Sequence, residues 1–153
     1  TILEMRRLIS ALSPAVLEQL GLGAALRQLV NRFGRLNTQC RVKLHISKMG
    51  RLPQQTEVIT YRLVQECFNN IGKHSKATTV NIWVSSTDGH LKLVVEDNGV
   101  GFDVNAAFEK RDSFGMSGMR ERVALLGGKF QVESRMTGPK TGTKIFIELP
   151  IAK

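Results

Sequence analysis

Cysteine, proline and long apolar runs are what this chain of 153 residues has least of. Its two cysteines, Cys40 and Cys67, cannot form a disulfide scaffold or a four-cysteine zinc site, and their apolar surroundings suit a reducing compartment. Four prolines in a chain that is 42% hydrophobic and 23% charged exclude a collagen-like repeat and general disorder. No uninterrupted apolar run reaches the roughly 20 residues of a membrane helix, and no signal-peptide pattern opens the chain. Internal repeats and low-complexity tracts are missing too. The three histidines, His45, His74 and His90, have no close cysteine partners for zinc, and no G-x-S-x-G elbow marks a serine nucleophile.

What is present is enough for one domain, which at this length should bury about 68–70% of the surface its unfolded chain exposes. The formal charge is +9, which suits an anionic partner: nucleic acid, a lipid surface, an acidic protein or a phosphorylated small molecule. The excess is uneven. Residues 1–50 hold Arg6, Arg7, Arg27, Arg32, Arg35, Arg41, Lys43 and Lys48 against Glu4 and Glu18, whereas residues 51–100 are balanced.

The pattern over Ile2–Leu12 predicts the end of a helix that lacks its first half. Ser13-Pro14 reads as a cap and first-turn proline for a short helix over Ala15–Leu20, and a second helix is expected from Leu22 to Leu36. Cys40–Ile46 alternates as a half-buried strand with His45 facing solvent. Pro53 opens the longest helix, expected to reach His74. Thr78–Ser85 and His90–Asp97 read as a hairpin turning at Thr87-Asp88-Gly89. A helix near Ser117–Leu126 and strands over Lys129–Ser134 and Thr143–Leu149 complete the chain. The order predicts an α/β fold, a two-layer sandwich in which one mixed or largely antiparallel sheet carries helices on one face.

Chemistry concentrates in four segments. On the long helix, Asn70 and Lys73 fall about 40° and about 20° around the axis from Glu66, one polar stripe bordering the apolar face. A carboxylate and an amide one turn apart offer oxygens to a hard cation such as Mg²⁺, though an ordinary solvated stripe has the same spacing. Leu91, Leu93, Val95 and Asp97 share one strand face, so an acid continues an apolar row where only a donor makes it tolerable. A purine amine would serve, with Gly99 and Gly101 admitting a flat ring; Asp97-Asn98-Gly99 is equally a plain turn. Gly115-Met116-Ser117-Gly118-Met119 precedes a helix whose free amides suit phosphate or need only a cap. The polar stretch Asp103–Phe114, with Phe108 and Phe114 as anchors, reads as a lid. Thr141 and Thr143 share a face with Ile145, Ile147 and Leu149, which brings a hydroxyl toward Asp97. The glycines form neither a Rossmann fingerprint nor a GxxxxGK[ST] loop.

Glu66-x-x-x-Asn70-x-x-Lys73-His74, Asp97-x-Gly99-x-Gly101, Gly115-x-x-Gly118-Met119 and Thr141-Gly142-Thr143, in this order, resemble the boxes of the ATP-binding catalytic domain of bacterial sensor histidine kinases. That domain belongs to the gyrase, Hsp90, histidine kinase and MutL type of ATPase fold, and the resemblance covers roughly residues 20–150. Ser13-Pro14-x-x-Leu17-Glu18-x-Leu20-Gly21-Leu22 and Gly118-Met119-Arg120-Glu121-Arg122 are most similar to the subfamily of nitrate and sugar-phosphate sensors. Met116 replaces the usual Leu and Ser13 a frequent Arg, and neither changes the site chemistry.

The resemblance implies ATP and Mg²⁺ as ligands. Asp97 would accept the adenine amine with Thr143 beside it, and Asn70 would bind Mg²⁺ directly. Glu66, the catalytic candidate, would hold a magnesium-bound water or assist proton transfer, although an acid beside the accepting histidine is the other candidate base. Lys73 and His74 would approach the phosphates, and Gly115, Met116, Ser117, Gly118 and Met119 would hold a lid spanning about 102–118, with Gly99 and Gly101 near the base. The implied reaction moves the γ-phosphoryl of ATP to a histidine. Residues 1–44 contain no histidine, so residues 1–12 are expected to be the tail of a dimerisation and phosphoacceptor helix region, and 13–153 the catalytic domain. The expected whole is a homodimeric, membrane-tethered sensor with its catalytic part in the cytoplasm at the inner membrane. Its partners would be its own phosphoacceptor domain and a response regulator, with no nucleic acid. A related ATPase or serine kinase switch, or a basic nucleic-acid-binding module, are the alternatives.

Overall fold

A computed structural model of the chain describes residues 14–47, 49–109 and 115–151. The helical tail expected over residues 1–12, the Ser13 cap and the Phe114 anchor lie outside the described residues. Helices α1 (Ala15–Leu20) and α2 (Leu22–Leu36) precede strand β1 (Arg41–Ile46) and helix α3 (Gln54–Asn70). Strands β2 (Thr79–Thr87) and β3 (His90–Asp97) follow, then helices α4 (Val104–Glu109) and α5 (Met116–Leu125), and strands β4 (Lys129–Arg135) and β5 (Gly142–Pro150).

The five strands form one mixed sheet in the order β1-β2-β3-β5-β4. β1 runs parallel to β2 and every other pair is antiparallel. Parallel neighbours need a crossover, and α3 supplies it. Asp88 and Gly89, both at positive φ (53° and 75°), close the β2–β3 hairpin as a two-residue turn. The expected strand limits hold to within two residues.

Alternation decides which face the helices cover. Val80, Ile82 and Val84 on β2, Leu91, Leu93 and Val95 on β3, and Ile145, Ile147 and Leu149 on β5 are buried. They join Leu26, Phe33, Leu63, Val64, Phe68, Met119 and Val123 from the helices in one core. Each such side chain contributes about 1.5–3 kcal/mol. The other face carries exposed Trp83, against which His45 stacks with ring centroids 5.4 Å apart. His45 is exposed, as its alternation predicts.

One charged device is invisible to periodicity. Glu57, in the first turn of α3, is buried, accepts the Leu22 N–H at 3.3 Å and pairs with Arg51 Nη2 at 3.0 Å. A carboxylate thereby caps the start of α2 and ties it to α3. No helix among the described residues is long and apolar enough to cross a membrane.

Candidate functional site

The long helix does not run as one α-helix to His74. After Asn70 it widens into a π turn, Ile71–Ser75, which ends at Lys76 in the left-handed region (φ 53°). Ser75 holds this end: its Oγ donates to Ile71 O at 3.0 Å and accepts Ala77 N–H at 3.1 Å. Its carbonyl accepts Val100 N–H at 2.7 Å. Gly99 lies so close that a Cβ there would overlap the Ser75 carbonyl, so this glycine lets the end of β3 lie against the π turn.

Asp97 closes β3 as alternation predicts, and it is only 8% exposed. Its Oδ1 accepts Gly99 N–H at 2.8 Å, and the Thr143 N–H on neighbouring β5 also donates to the carboxylate. Burial pushes its carboxyl up from the usual carboxylate value, against the pull of those two donors, and Glu96 adds to the rise. The acid's cost is thus partly met from the backbone, and an ionised carboxylate, with about four acceptor sites, retains capacity for another donor. Thr143 Oγ1 is 2.8 Å from Ser134 Oγ, which accepts Phe102 N–H at 2.9 Å. Thr141 turns elsewhere, donating to Gly99 O at 2.6 Å, and clamps the turn after Asp97.

These pieces enclose a pocket of about 390 Å³, its open mouth included. Six expected residues line it: Asn70, His74, Asp97, Gly101, Met116 and Thr143. Cys67, Ile71, Ser75, Val95, Phe102 and Ile145 complete the wall and were not singled out by the sequence, although the helix and strand periods place most of them on the right faces. Polar groups thus meet at one end of an apolar slot, the usual form of a small-molecule site. Burial pushes the Cys67 thiol at its floor up to about 12, which leaves it unreactive.

The stripe on α3 divides. Asn70 lines this pocket, while Glu66 and Lys73 line an adjoining groove. Gly115, at φ 62°, packs on Glu66 so tightly that a Cβ would overlap the carboxylate. The glycine segment therefore reaches α3 at Glu66. Within that segment Met116 reaches the pocket, Met119 is buried in the core and Gly118 is exposed. Ser117 donates its hydroxyl to Phe108 O at 3.3 Å. The first half of the expected lid is helical, α4, with Arg120 4.1 Å from the centre of the Phe108 ring. Residues 110–114 of that lid lie outside the described residues.

The fold and this site define a class. The family of histidine kinase-, DNA gyrase B- and HSP90-like ATPases matches residues 55–153, and the chain belongs to it. Its relatives include the signal transduction histidine-protein kinase/phosphatase DegS of Brevibacillus brevis, 38% identical over 149 residues, 97% of this chain and 37% of that protein. Sensor protein VraS of Staphylococcus aureus (strain COL) is 32% identical over 154 residues, 99% of this chain and 42% of the relative. The chain spans less than half the length of these curated relatives. Among solved structures, the Erythrobacter litoralis EL346 blue-light activated histidine kinase superposes with a TM-score of 0.69 at 24% identity, over 85% of this chain and 45% of that one. The ATP-binding domain of PrrB from Mycobacterium tuberculosis gives 0.65 at 22% identity over 84% and 93%. Full-length ShkA in complex with AMPPNP gives 0.66 at 20% over 84% and 30%. These structural likenesses bear on the fold.

Proposed function

We propose that this chain binds ATP with Mg²⁺ and is the catalytic domain of a two-component sensor histidine kinase. The observation that carries the reading is the pocket in which buried Asp97 and Thr143 face the Asn70 end of α3. An adenine amine would donate to the Asp97 carboxylate, and Thr143, already bound to it through its amide, would border the ring. The family's name and the AMPPNP held by ShkA support the same ligand class.

The donor set fits Mg²⁺ in one particular way. Among the described residues no three His, Cys, Asp or Glu side chains gather to hold a metal alone. Mg²⁺ often keeps several waters and shares substrate phosphates with one or two protein oxygens, so the Asn70 amide and a water on Glu66 suffice. Bound there, the ion would supply neutralisation of the phosphate oxygens. Lys73 and His74 would approach the phosphates, and Gly115 to Met119 would hold the lid segment against Glu66. The accepting histidine nitrogen would attack the γ-phosphorus, breaking its bond to the β–γ bridging oxygen and releasing ADP. Alignment and charge neutralisation carry such a step.

The accepting histidine lies outside these residues in this reading, on the protein's own dimerising phosphoacceptor domain, and a response regulator receives the group next. Dependence on ATP and two free cysteines support work on the cytoplasmic side. Isothermal titration with AMPPNP and Mg²⁺ tests the pocket: Asp97→Asn and Asn70→Ala should each weaken binding tenfold or more, by about 1.4 kcal/mol or more. Unchanged affinity in both variants would sink the reading.

A further inference from the structure

The helices and the nucleotide pocket occupy one face of the sheet, and the opposite face carries the one tryptophan of the chain, Trp83, 38% exposed. Strand pairing sets a row across that face: His45, Trp83, Val94, Phe146 and Gln131 stand side by side from β1 to β4. Its centre is apolar, with Val94 and Phe146 half-buried beside the exposed Trp83.

Charge flanks the row in a fixed order. β3 carries Lys92 and Glu96 on either side of Val94, β5 carries Lys144 and Glu148 on either side of Phe146, and β4 carries Lys129 and Glu133 on either side of Gln131. The two-residue period keeps all six on this face. Because β5 runs antiparallel to both neighbours, one flank reads Glu96, Lys144, Glu133 and the other Lys92, Glu148, Lys129. A second copy of the face, turned over about the row as a two-fold axis, sets Lys92 against Glu96, Glu148 against Lys144 and Lys129 against Glu133. The apolar row then falls on itself, which is the self-complementarity that an isologous contact needs. A charge ladder within one sheet would use the same signs, yet of its neighbouring pairs only Lys144 and Glu96 close, at 3.8 Å. Among the described residues no ion pair holds Lys92, Lys129 or Glu133.

The three rows hold four lysines, Lys43 included, against three glutamates, so copies of a chain that carries +9 repel one another least at this face. A nucleic acid or an anionic lipid surface would meet those glutamates as well as the lysines. The geometry points to a second copy of this chain as the occupant, the two open sheet faces packing about a two-fold axis along the Trp83–Val94–Phe146 row. Sheets stacked in this way keep their strands within about 30° of each other, which leaves β3 and β5 over their own counterparts. Five strands about 4.8 Å apart and three rows about 6.8 Å apart bury on the order of 1,000 Å² in the pair. That area is at the low end of specific interfaces and predicts a weak, reversible dimer. The pairing stands apart from the nucleotide reading, since the pocket opens on the other side of the sheet.

Sedimentation equilibrium over a concentration series should show the mass rising from 17.0 kDa toward twice that value. The emission of Trp83 should move to shorter wavelength over the same range. Lys92→Glu and Glu96→Lys each set like charges together at both symmetry-related contacts, so either variant alone should associate about tenfold or more weakly. An equimolar mixture of the two has opposite charges at both contacts and should regain most of the lost affinity. Mixing Lys129→Glu with Glu133→Lys repeats the test at two exposed positions on β4. Melting curves check that each variant folds, and AMPPNP affinity should stay unchanged in Lys92→Glu. A chain that stays monomeric overturns the pairing and leaves the face to another part of a longer protein. Mass that rises without a change in Trp83 emission, association indifferent to the single reversals, or a mixture no better than either variant would overturn it as well.

Discussion

Asp97 is where burial and the proposed function pull in opposite directions. Its native carboxyl is raised mainly by desolvation, so the native state holds the proton more tightly than the unfolded chain. Between the unfolded value of about 3.9 and the higher native value, the native state binds more protons, and stability contributed by this group falls as pH rises. Below about 3.9 the contribution is fully present. Melting temperatures of the wild type and Asp97→Asn, taken in steps from acid to neutral pH, should show the wild type losing ground to the variant as pH climbs through that window. The opposite trend would mean that the Gly99 and Thr143 amides outweigh burial. The placement of this residue was legible, because a two-residue period alone carries the apolar row of β3 into an acid. Ser134 was not legible: its link to Thr143 depends on the register of β4 against β5, and no local pattern encodes that pairing.

Among the elements, α3 and the α5 entrance decide how the stripe is used. Helical arithmetic put Glu66, Asn70 and Lys73 on one line, and the line exists up to Asn70. The π turn beyond it was hidden because its causes are distant: Val100 N–H on the Ser75 carbonyl and the close approach of Gly99. Such turns recur at functional sites, and here the turn carries the helix from the pocket-lining Asn70 past Lys73 in the groove to His74 in the pocket. Gly115 fixes the other element. Its φ of 62° is a left-handed conformation that costs a residue with Cβ about 1–2 kcal/mol. Gly115→Ala should therefore lower the melting temperature by roughly 2–8 °C. Most of that loss should persist in a Glu66→Ala background, because the Glu66 side chain can yield while the backbone strain cannot. Calorimetry of the four proteins checks this, and an unchanged melting temperature in Gly115→Ala would contradict a left-handed backbone there.

At the scale of the whole molecule, the charge of +9 and the site must be kept apart. The total first admits nucleic acid and membrane, yet the proposed base contacts sit in a pocket whose walls are mostly apolar, and four cations line a groove beside it. The mixed sheet and its helical layer were legible from the sequence of elements. The strand order β1-β2-β3-β5-β4 was not, because β5 inserts between β3 and β4 through pairings distant in the chain. That insertion is what sets Thr143 opposite Asp97 and makes the pocket. A ligand held there binds the folded chain alone and must stabilise it. At a concentration of 100 times its Kd the gain is about 2.7 kcal/mol, or roughly 5–11 °C for a chain of this size. AMPPNP should give such a shift in Mg²⁺, and EDTA should remove much of it if Asn70 and Glu66 share the ion. Added salt separates the two surfaces, since an exposed groove is screened much more than a partly buried pocket. Raising NaCl should spare most of the AMPPNP shift while weakening any ligand of the cationic groove. A shift that disappears with salt and ignores EDTA would assign nucleotide binding to the charge of the surface and remove the pocket from the mechanism.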